Sequence, residues 1–510
     1  MTSLRVGIVG AGIGGLAAAI AISRSGCSVT ILEQGADIGE IGAGIQLHPN
    51  VSRLMIRWGV DKIIDNDLVE PESINTWDYV NEELRLIART DPKEMKKKAG
   101  FPWWVVRRDH LYTGLAQSVS EHGAKLIINA RVEKIDDSSS PIKVSTSSGQ
   151  IYEFDLLVGA DGLKSTVRQY LYPGLMPYAP NKLCAYRGIL PFSLLYKEIP
   201  EATLYVGNRL DTWVGSKGYV LLYPTSGGKE LNVVTAAESK DYVTKMEDID
   251  IQDFYGLYAD FHPFIQKVLR LVKYTKRWPL LQTPRMPSWS NKHKNIVMLG
   301  DAVHAMQNHM AQGAGTAIED GAFLGQVISE IVRGVITVPE AVTLFEQRRM
   351  PKAWIKQQLS FHSGAMYCLT RPEDRENRNK AGRFEVARWE HNPARQEPSH
   401  IEYRSWIVSR CAETVKSLWY YDAEADADNA VLEYLMNRGK VDDFTQMSEN
   451  LRDKWTSIAT GNGVDGTWAE PEVDYLHMKN SLYKSNGASR DGIREYGLHE
   501  EEYNRFGKGL

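Results

Sequence analysis

The sequence predicts an α/β protein: a Rossmann-type nucleotide-binding domain, an inserted mixed β-sheet domain and a helical C-terminal region. Three observations carry this. A strand, a glycine loop, a helix and a second strand ending in an acid open the chain; the middle third is dominated by short strand-like runs; and a buried strand returns near residue 296, followed by a long helix.

The opening unit reads element by element. Arg5-Val-Gly-Ile-Val-Gly10 is a strand, Gly10-Ala-Gly12-Ile-Gly14-Gly15 the loop, Leu16 to Gly26 the helix, and Ser28-Val-Thr-Ile-Leu32 the second strand, with Glu33 after it. Gly10, Gly12 and Gly15 let the backbone approach a pyrophosphate, whose charge suits the free N–H groups of a helix start. Glu33 suits a ribose hydroxyl pair. Such a loop also serves plain turns, but here strand, helix and acid stand at the spacing that a dinucleotide site requires.

Residues 36–60 are Gly-rich and then helical, with Pro49 opening the helix and apolar residues at Val51, Leu54 and Met55. Residues 68–90 alternate as antiparallel strand, and Arg107-Arg-Asp-His-Leu111 starts an amphipathic helix to about His122. Lys125–Asn129 and Asp155–Gly159 read as strands returning to the first sheet, with hairpin turns at Ser138–Pro141 and Ser147–Gly149. Strands are then expected at Cys184–Gly188, Ala202–Val206, Thr212–Val214, Gly218–Pro224 and Leu231–Thr235, with one helix near 250–270. Ile296–Gly300 is a further buried parallel strand, and Gly313 to Val332 a helix apolar on one face. Residues 371–400, charged and Pro-containing, read as an exposed connector; the last eighty residues carry no legible motif, and no internal repeat is present. The expected domains are 1–180 (nucleotide-binding, with inserted strands 68–105), 181–290 (β-sheet, substrate-binding), 291–360 (return of the first domain) and 361–510 (C-terminal helical or extended region).

Bulk properties narrow the function classes. At 510 residues the chain exceeds one small core. A formal net charge of -4 gives no reason to invoke nucleic acid or an anionic membrane. Cys27, Cys184, Cys368 and Cys411 lack CxxC spacing, which argues against a disulfide framework or a zinc site and fits a reducing compartment. The longest apolar run, Val6 to Ile22, holds five glycines and the strand–loop–helix pattern, so it reads as neither a membrane span nor a signal peptide. The expectation is a soluble intracellular protein, cytoplasmic, acting as monomer or homodimer without a membrane span.

Two further motifs lie far from the first: Asp155-Leu-Leu-Val-Gly-Ala-Asp161-Gly162-Leu-Lys-Ser-Thr-Val-Arg168, and Leu299-Gly300-Asp301-Ala-Val-His304-Ala-Met-Gln-Asn308-His309-Met-Ala-Gln312-Gly313-Ala314 running on to Glu319-Asp320-Gly321. Gly300-Asp301 closes a strand, where a carboxylate can accept hydrogen bonds from ribityl hydroxyls. Gln312-Gly313-Ala314 opens a helix whose positive end suits a reduced flavin. In this order the trio closely resembles the FAD-dependent aromatic hydroxylases, the single-component flavoprotein monooxygenases typified by 4-hydroxybenzoate and salicylate hydroxylases, over roughly residues 5–360. Tyr420-Tyr-Asp-Ala-Glu424 also looks like the ending of salicylate-hydroxylase-like fungal enzymes. No WxWxIP sequence of the flavin halogenases is present.

The resemblance implies a 4-hydroxybenzoate-hydroxylase-like fold, FAD as cofactor, NAD(P)H as a transient reductant, and O2 and a small aromatic substrate as reactants, with oxygen transfer through a flavin C4a-hydroperoxide. It implies that Asp301, Gly313 and Ala314 contact FAD, that Arg108 reaches its phosphate or ribityl oxygens, that Ala43, Gly44 and Gln46, with Gly42, pack near the isoalloxazine ring, and that Asp161 bridges FAD and the visiting reductant. A solvated helix-start charge is the plainer alternative for Arg108, and a simple turn for Asp161-Gly162.

On the substrate side, Tyr219 and Tyr223 lie four apart on one strand and share a face. In relatives nearest 3-hydroxybenzoate 6-hydroxylase the position of Tyr219 is often a His that handles the phenolic proton; tyrosine, with a pKa near 10, is a poor base and a better hydrogen-bond partner. Sheet packing is the alternative for both. Arg187 matches an arginine that anchors a phenolate or carboxylate in some relatives, its alternative a structural salt bridge. Asn308 stands where salicylate-type enzymes carry proline, and with His309 is a donor candidate near the reacting ring. His304 reads as structural; His48 and Trp104 are weaker pocket candidates. The function implied is hydroxylation of a small phenolic acid, with or without decarboxylation. The alternatives are a tailoring oxygenase acting on a larger phenol or indole, and a non-catalytic dinucleotide-fold binder.

Overall fold

The computed structural model describes residues 3–36, 43–80, 83–376, 378–379 and 418–438. Five parallel strands form the first sheet, in the order Ile296–Met298, Leu156–Gly159, Arg5–Val9, Ser28–Leu32 and Lys125–Ile127. All five expected strands are therefore in it, and the opening strand is central, with Val6, Ile8 and Val9 buried. Its apolar run serves a strand covered on both faces. A three-stranded antiparallel sheet, Val132–Asp136, Ile142–Thr146 and Ile151–Phe154, carries the two expected hairpin turns.

The helices Ile13–Ser23 and Gly313–Val332 pack backbone against backbone. A Cβ on Gly321 would sit 2.6 Å from the Ala18 nitrogen, and one on Gly325 2.5 Å from the Ala21 Cβ. Small residues on both helices permit this approach, and the approach fixes where the start of the second helix points.

The second large sheet has eight strands, ordered Glu247–Asp248, Lys276–Pro279, Leu183–Pro191, Glu230–Glu238, Gly218–Thr225, Leu210–Val214, Ile74–Val80 and Glu83–Thr90. The antiparallel strand read at 68–90 is the hairpin Ile74–Val80 with Glu83–Thr90, and it pairs into this sheet through parallel contact of Ile74–Val80 with Leu210–Val214. One face holds Tyr186, Val220, Leu222 and Val233 against Phe254, Phe264 and Leu269. Alternate residues of the same strands face the first domain.

Three expectations need correction. Residues Ala202–Tyr205 form a short helix rather than a strand: Tyr205 is placed by stacking on Phe264 at 4.6 Å, not by a ladder partner. The helix near 250–270 is two helices, Ile251–Gly256 and Pro263–Leu271, because Pro263 starts a new helix whose cap is the His262 ring accepting from the Phe264 N–H. The expected exposed connector is exposed only where it starts, at Arg371, Pro372 and Glu373: Arg378 and Asn379 are buried and, with the half-buried Arg375, engage the buried Asp78. The rest of 371–400 lies outside the described residues, as do Cys411 and most of the last eighty positions. A two-stranded pair, Gly44–Leu47 with Trp104–Arg107, and a 30-residue helix, Val338–Tyr367, were not anticipated. Among the described residues no helix is long and apolar enough to cross a membrane.

The Tyr420–Glu424 motif works as a clamp. Asp422 caps the helix Ala423–Asn437 and accepts from Arg53 at 2.7 Å and Arg57 at 2.6 Å; Glu424 accepts from Arg57, Arg24 and the Trp58 indole. The two arginines hold the Asp422 carboxyl far below the usual carboxylate range, against the opposing effect of burial.

Candidate active site

The glycine loop has the geometry its sequence predicts. Gly10 takes φ +98°, which side-chain-bearing residues rarely adopt, and a Cβ on Gly15 would overlap the Gly10 carbonyl oxygen. Gly12, by contrast, has nothing within 4 Å of where a Cβ would lie, and no side chain caps the helix it starts. Open space therefore meets uncapped N–H groups, which is what an anion needs. Glu33 accepts from the Ala11 N–H at 2.6 Å and the Gly35 N–H at 2.7 Å, so it pins the loop to the end of the second strand. Each carboxylate oxygen keeps a lone pair for a further donor.

Asp161 is occupied structurally. Its carboxylate accepts from Ser165 Oγ at 2.5 Å and the Thr166 N–H at 2.6 Å, capping the helix Thr166–Leu171, and burial raises its pKa. Its backbone abuts the loop, the Cα lying 2.9 Å from a Cβ built on Gly10. Arg168, buried completely, donates to carbonyl oxygens of Leu163, Leu175 and Ala302 and so ties the second motif to the third.

Gly300, at φ +62°, turns the chain into the short helix Asp301–His304. Asp301 is exposed, and its carboxylate has no hydrogen-bond partner among the described residues. Gly313 and Ala314 begin the helix Gly313–Val332, which no side chain caps. Beneath that helix lies a buried ion cluster. Asp320 accepts from the Gly300 N–H, from His304 Nε2 at 2.5 Å and from Arg349 at 2.8 Å. Glu319 accepts from Arg349, Lys356 and Asn50. The cluster locks the Gly300 turn to the helix, and His304 is structural. Burial moves Lys356 down to about 8, and the opposite charges around Asp320 overcome burial and bring it to about 2.

The first and second sheets meet across the pair Gly44–Leu47 and Trp104–Arg107. Gly44 donates its N–H to Asn232 Oδ1 at 2.9 Å, and a Cβ there would lie 2.6 Å from the Tyr223 hydroxyl. Gly44 therefore allows close approach of the sheet carrying Tyr223. The Ala43 carbonyl accepts from the Arg108 N–H at 2.8 Å, and Gln46 is buried without a side-chain hydrogen bond among the described residues. Trp104 is half-buried at the head of its strand, while Trp103, missed in the sequence, packs on His48 at 4.1 Å. His48 also stacks on Trp419 and bonds Gln312 at the helix start. Burial first, and Lys356 second, bring His48 down to about 3.

On the second sheet, Arg187, Tyr219 and Tyr223 share the face turned to the first domain, in register opposite Val234, Ala236 and Asn232. Among the described residues Arg187 has no carboxylate partner. Its guanidinium lies over the Trp278 ring at 5.3 Å, and its buried Nε is unpaired. Burial, then the neighbouring Arg108 charge, lowers its pKa. Tyr223 makes no side-chain hydrogen bond among the described residues, and burial raises its pKa; Tyr219 is raised well above the ordinary value for the same reason. Tyr219 meets His309 Nδ1 at 2.9 Å. Asn308 Oδ1 is a buried acceptor without a partner among the described residues. The fold thus gathers Arg187, Tyr219, Tyr223, Asn308 and His309 on the interior side of the large sheet.

Residues 3–190 match a family described as an FAD binding domain. A 3-hydroxybenzoate 6-hydroxylase of Polaromonas naphthalenivorans is 30% identical over 355 residues, covering 68% of this chain and 84% of that protein. This chain belongs to the FAD-dependent aromatic hydroxylases. The FAD-dependent monooxygenase OpS4 of Beauveria bassiana is 28% identical over 84% of this chain and 97% of its own length. Among solved structures, CtdE in complex with FAD and its substrate 4 has a TM-score of 0.69 at 18% identity, covering 86% of this chain and all of that one; this likeness shows the fold. Membership makes the chain an enzyme and sets aside the non-catalytic alternative. FAD is the cofactor of this hydroxylase family, and NAD(P)H its typical reductant.

The hydroxylase's own geometry fits that cofactor at three points: open space over Gly12, an unpartnered carboxylate at Asp301, and an uncapped helix start at Gly313. What the sequence did not reveal is the support behind them. Arg168, Arg349 and Lys356 are ordinary charges in sequence, and only burial marks them as structural. The one available signal was the Glu319-Asp320 pair inside an otherwise apolar helix, since paired acids in a core require basic partners.

Proposed function

We propose that this hydroxylase acts on a small phenolic acid, and that Arg187 holds the substrate's anionic group. The observation that carries the reading is a half-buried arginine with, among the described residues, an unpaired Nε and no carboxylate partner, on the face shared by Tyr219 and Tyr223. A charge in that setting is costly unless a ligand completes it.

FAD is assigned to Gly10, Gly12, Gly15 and Glu33 at the adenosine and pyrophosphate end, Arg108 and Asp301 along the ribityl chain, and Ala43, Gly44, Gln46, Gly313 and Ala314 around the ring, with Asp161 bracing the loop. When bound and reduced by NAD(P)H, FAD would activate O2, so that one of its oxygen atoms enters the substrate and the other leaves as water. The residues of this chain bind, orient and exclude water. Arg187 fixes the acid by a two-pronged contact. Tyr223 offers its hydroxyl to the ring's oxygen. Burial keeps both tyrosines protonated, so they act as donors rather than bases.

The test is a panel of hydroxybenzoates screened for stimulated NAD(P)H consumption, with product analysis. Stimulation coupled to a hydroxylated product is expected, and analysis separates insertion at a free ring carbon from replacement of the carboxyl with loss of carbon dioxide. NAD(P)H consumption that yields only hydrogen peroxide across the panel would reject the substrate class.

A second reading, a larger phenol or indole, is favoured by one feature. His48, Trp103 and Trp419 form an aromatic group with ring centroids 4.1–5.6 Å apart, and Trp103 and Trp419 share an apolar cluster with Tyr223. Two-ring phenols in the same panel test it: coupled turnover of these, and not of benzoates, would displace the first reading.

A further inference from the structure

His309 sits in the turn Asn308–Met310, and its ring packs against the helix Val338–Tyr367 at Gly364, where a Cβ would overlap ring atoms Cδ2 and Nε2. Nε2 is buried and has no hydrogen-bond partner among the described residues. The other ring nitrogen, Nδ1, is 2.9 Å from the Tyr219 hydroxyl. Burial brings His309 down to about 3, so the ring is neutral and carries one proton.

The hydrogen-bond pattern assigns that proton. Placed on Nε2, it would be a buried donor with no acceptor; placed on Nδ1, it is used, and Nε2 is left with only a bare lone pair. A stranded N–H is the costlier of the two. Nδ1–H therefore donates to the Tyr219 oxygen, and Tyr219 must direct its own hydrogen elsewhere. The ionisable groups around Tyr219 are Arg187 and Tyr223 on the sheet, and Tyr367 and Cys368 at the end of the long helix. None is a carboxylate, so among the described residues no strong acceptor faces the Tyr219 hydroxyl.

We infer that His309 is a positioning residue that makes the Tyr219 hydroxyl a dedicated donor to an anionic oxygen of the substrate. The inference rests on the phenolic-acid reading above and deepens it: the bound substrate is recognised as its phenolate, by donation from Tyr219 and not by a base that removes its proton.

The test uses the flavin-loaded full-length enzyme and 4-hydroxy-3-nitrobenzoate, a carboxylate-bearing phenol whose colour reports its ionisation. The bound probe should ionise about one pH unit lower than in water, the effect of one charge-assisted hydrogen bond. Tyr219→Phe and His309→Leu should each abolish most of that shift, and the double variant should lose no more than either alone. His309→Asn, whose side-chain N–H takes the place of Nδ1–H, should restore it; a purely structural histidine would show no such rescue. Flavin content of each variant reports folding separately, and because His309→Asn is compared with His309→Leu at one site, a general loss of packing would strike both. A wild-type shift unchanged in His309→Leu, additive losses in the double variant, or a bound probe with no shift overturns the inference while leaving the substrate class in place. Failure of the wild-type enzyme to bind the probe overturns both.

Discussion

Replacing Arg187 with methionine should have two opposite consequences. In the free enzyme the substitution removes a charge that lacks an acidic partner among the described residues and retains a side chain of similar length over Trp278. Relief of the desolvation cost, offset by roughly 0.5–1 kcal/mol of lost cation–π attraction, leaves a net gain of about 1 kcal/mol in stability. For ligand binding the loss runs the other way. Hydrogen bonds to a charged group contribute about 1.5–3 kcal/mol, which corresponds to roughly 10- to 150-fold weaker binding of an acid. The assay pairs urea denaturation of the free enzyme with titration of a hydroxybenzoate, followed by flavin fluorescence. The matching benzamide serves as a neutral control and should be little affected. The reasoning is refuted if acid binding changes less than threefold, or if the free enzyme loses stability as it would on breaking a structural salt bridge.

Asp422→Ala should destabilise the chain by about 3–5 kcal/mol in denaturant titration, because it leaves the buried Arg53 unpaired; a loss below 1 kcal/mol would show that the clamp is dispensable. The same carboxyl sets a pH dependence. Its folded pKa is depressed, so its contribution is fully present above the unfolded carboxylate value near 4 and fades as pH falls below it; in Asp422→Ala this acid-side loss should be reduced, as pH-dependent melting would record. Gly325→Ala adds a methyl group 2.5 Å from Ala21 and should cost about 1–3 kcal/mol while weakening flavin retention, since the displaced helix carries Gly313 and Ala314 at its start. Retention equal to wild type would uncouple the helix contact from the cofactor site.

The parts of the fold legible in the sequence are those whose local signal and tertiary role agree. The strand Arg5–Val9 is apolar because it is central, and Gly10 and Gly15 are glycines because the loop and the helix that follows allow no side chain there. Misreadings arose where a tertiary contact overrode local pattern. Ala202–Tyr205 carries β-prone Thr203 and Tyr205, yet the Tyr205 ring stacks on Phe264 and the segment is a short helix. Arg375 and Arg378 read as solvated charges until Asp78, nearly three hundred residues earlier, is brought beneath them. The site divides the same way. Glycine loops and the Gly300-Asp301 turn announce themselves, whereas the His309–Tyr219 contact depends on Gly364, whose absence of a side chain has meaning only once the long helix is laid across the site.

The most direct test of the whole account is the flavin content of the purified chain, read from its visible spectrum and by chromatography of the extracted cofactor. One FAD per chain is the predicted result, in a protein that is yellow as isolated or becomes so on adding FAD. A colourless protein that takes up no added FAD would contradict the assignment of the three motifs to a single cofactor, and with it the hydroxylase chemistry built on them.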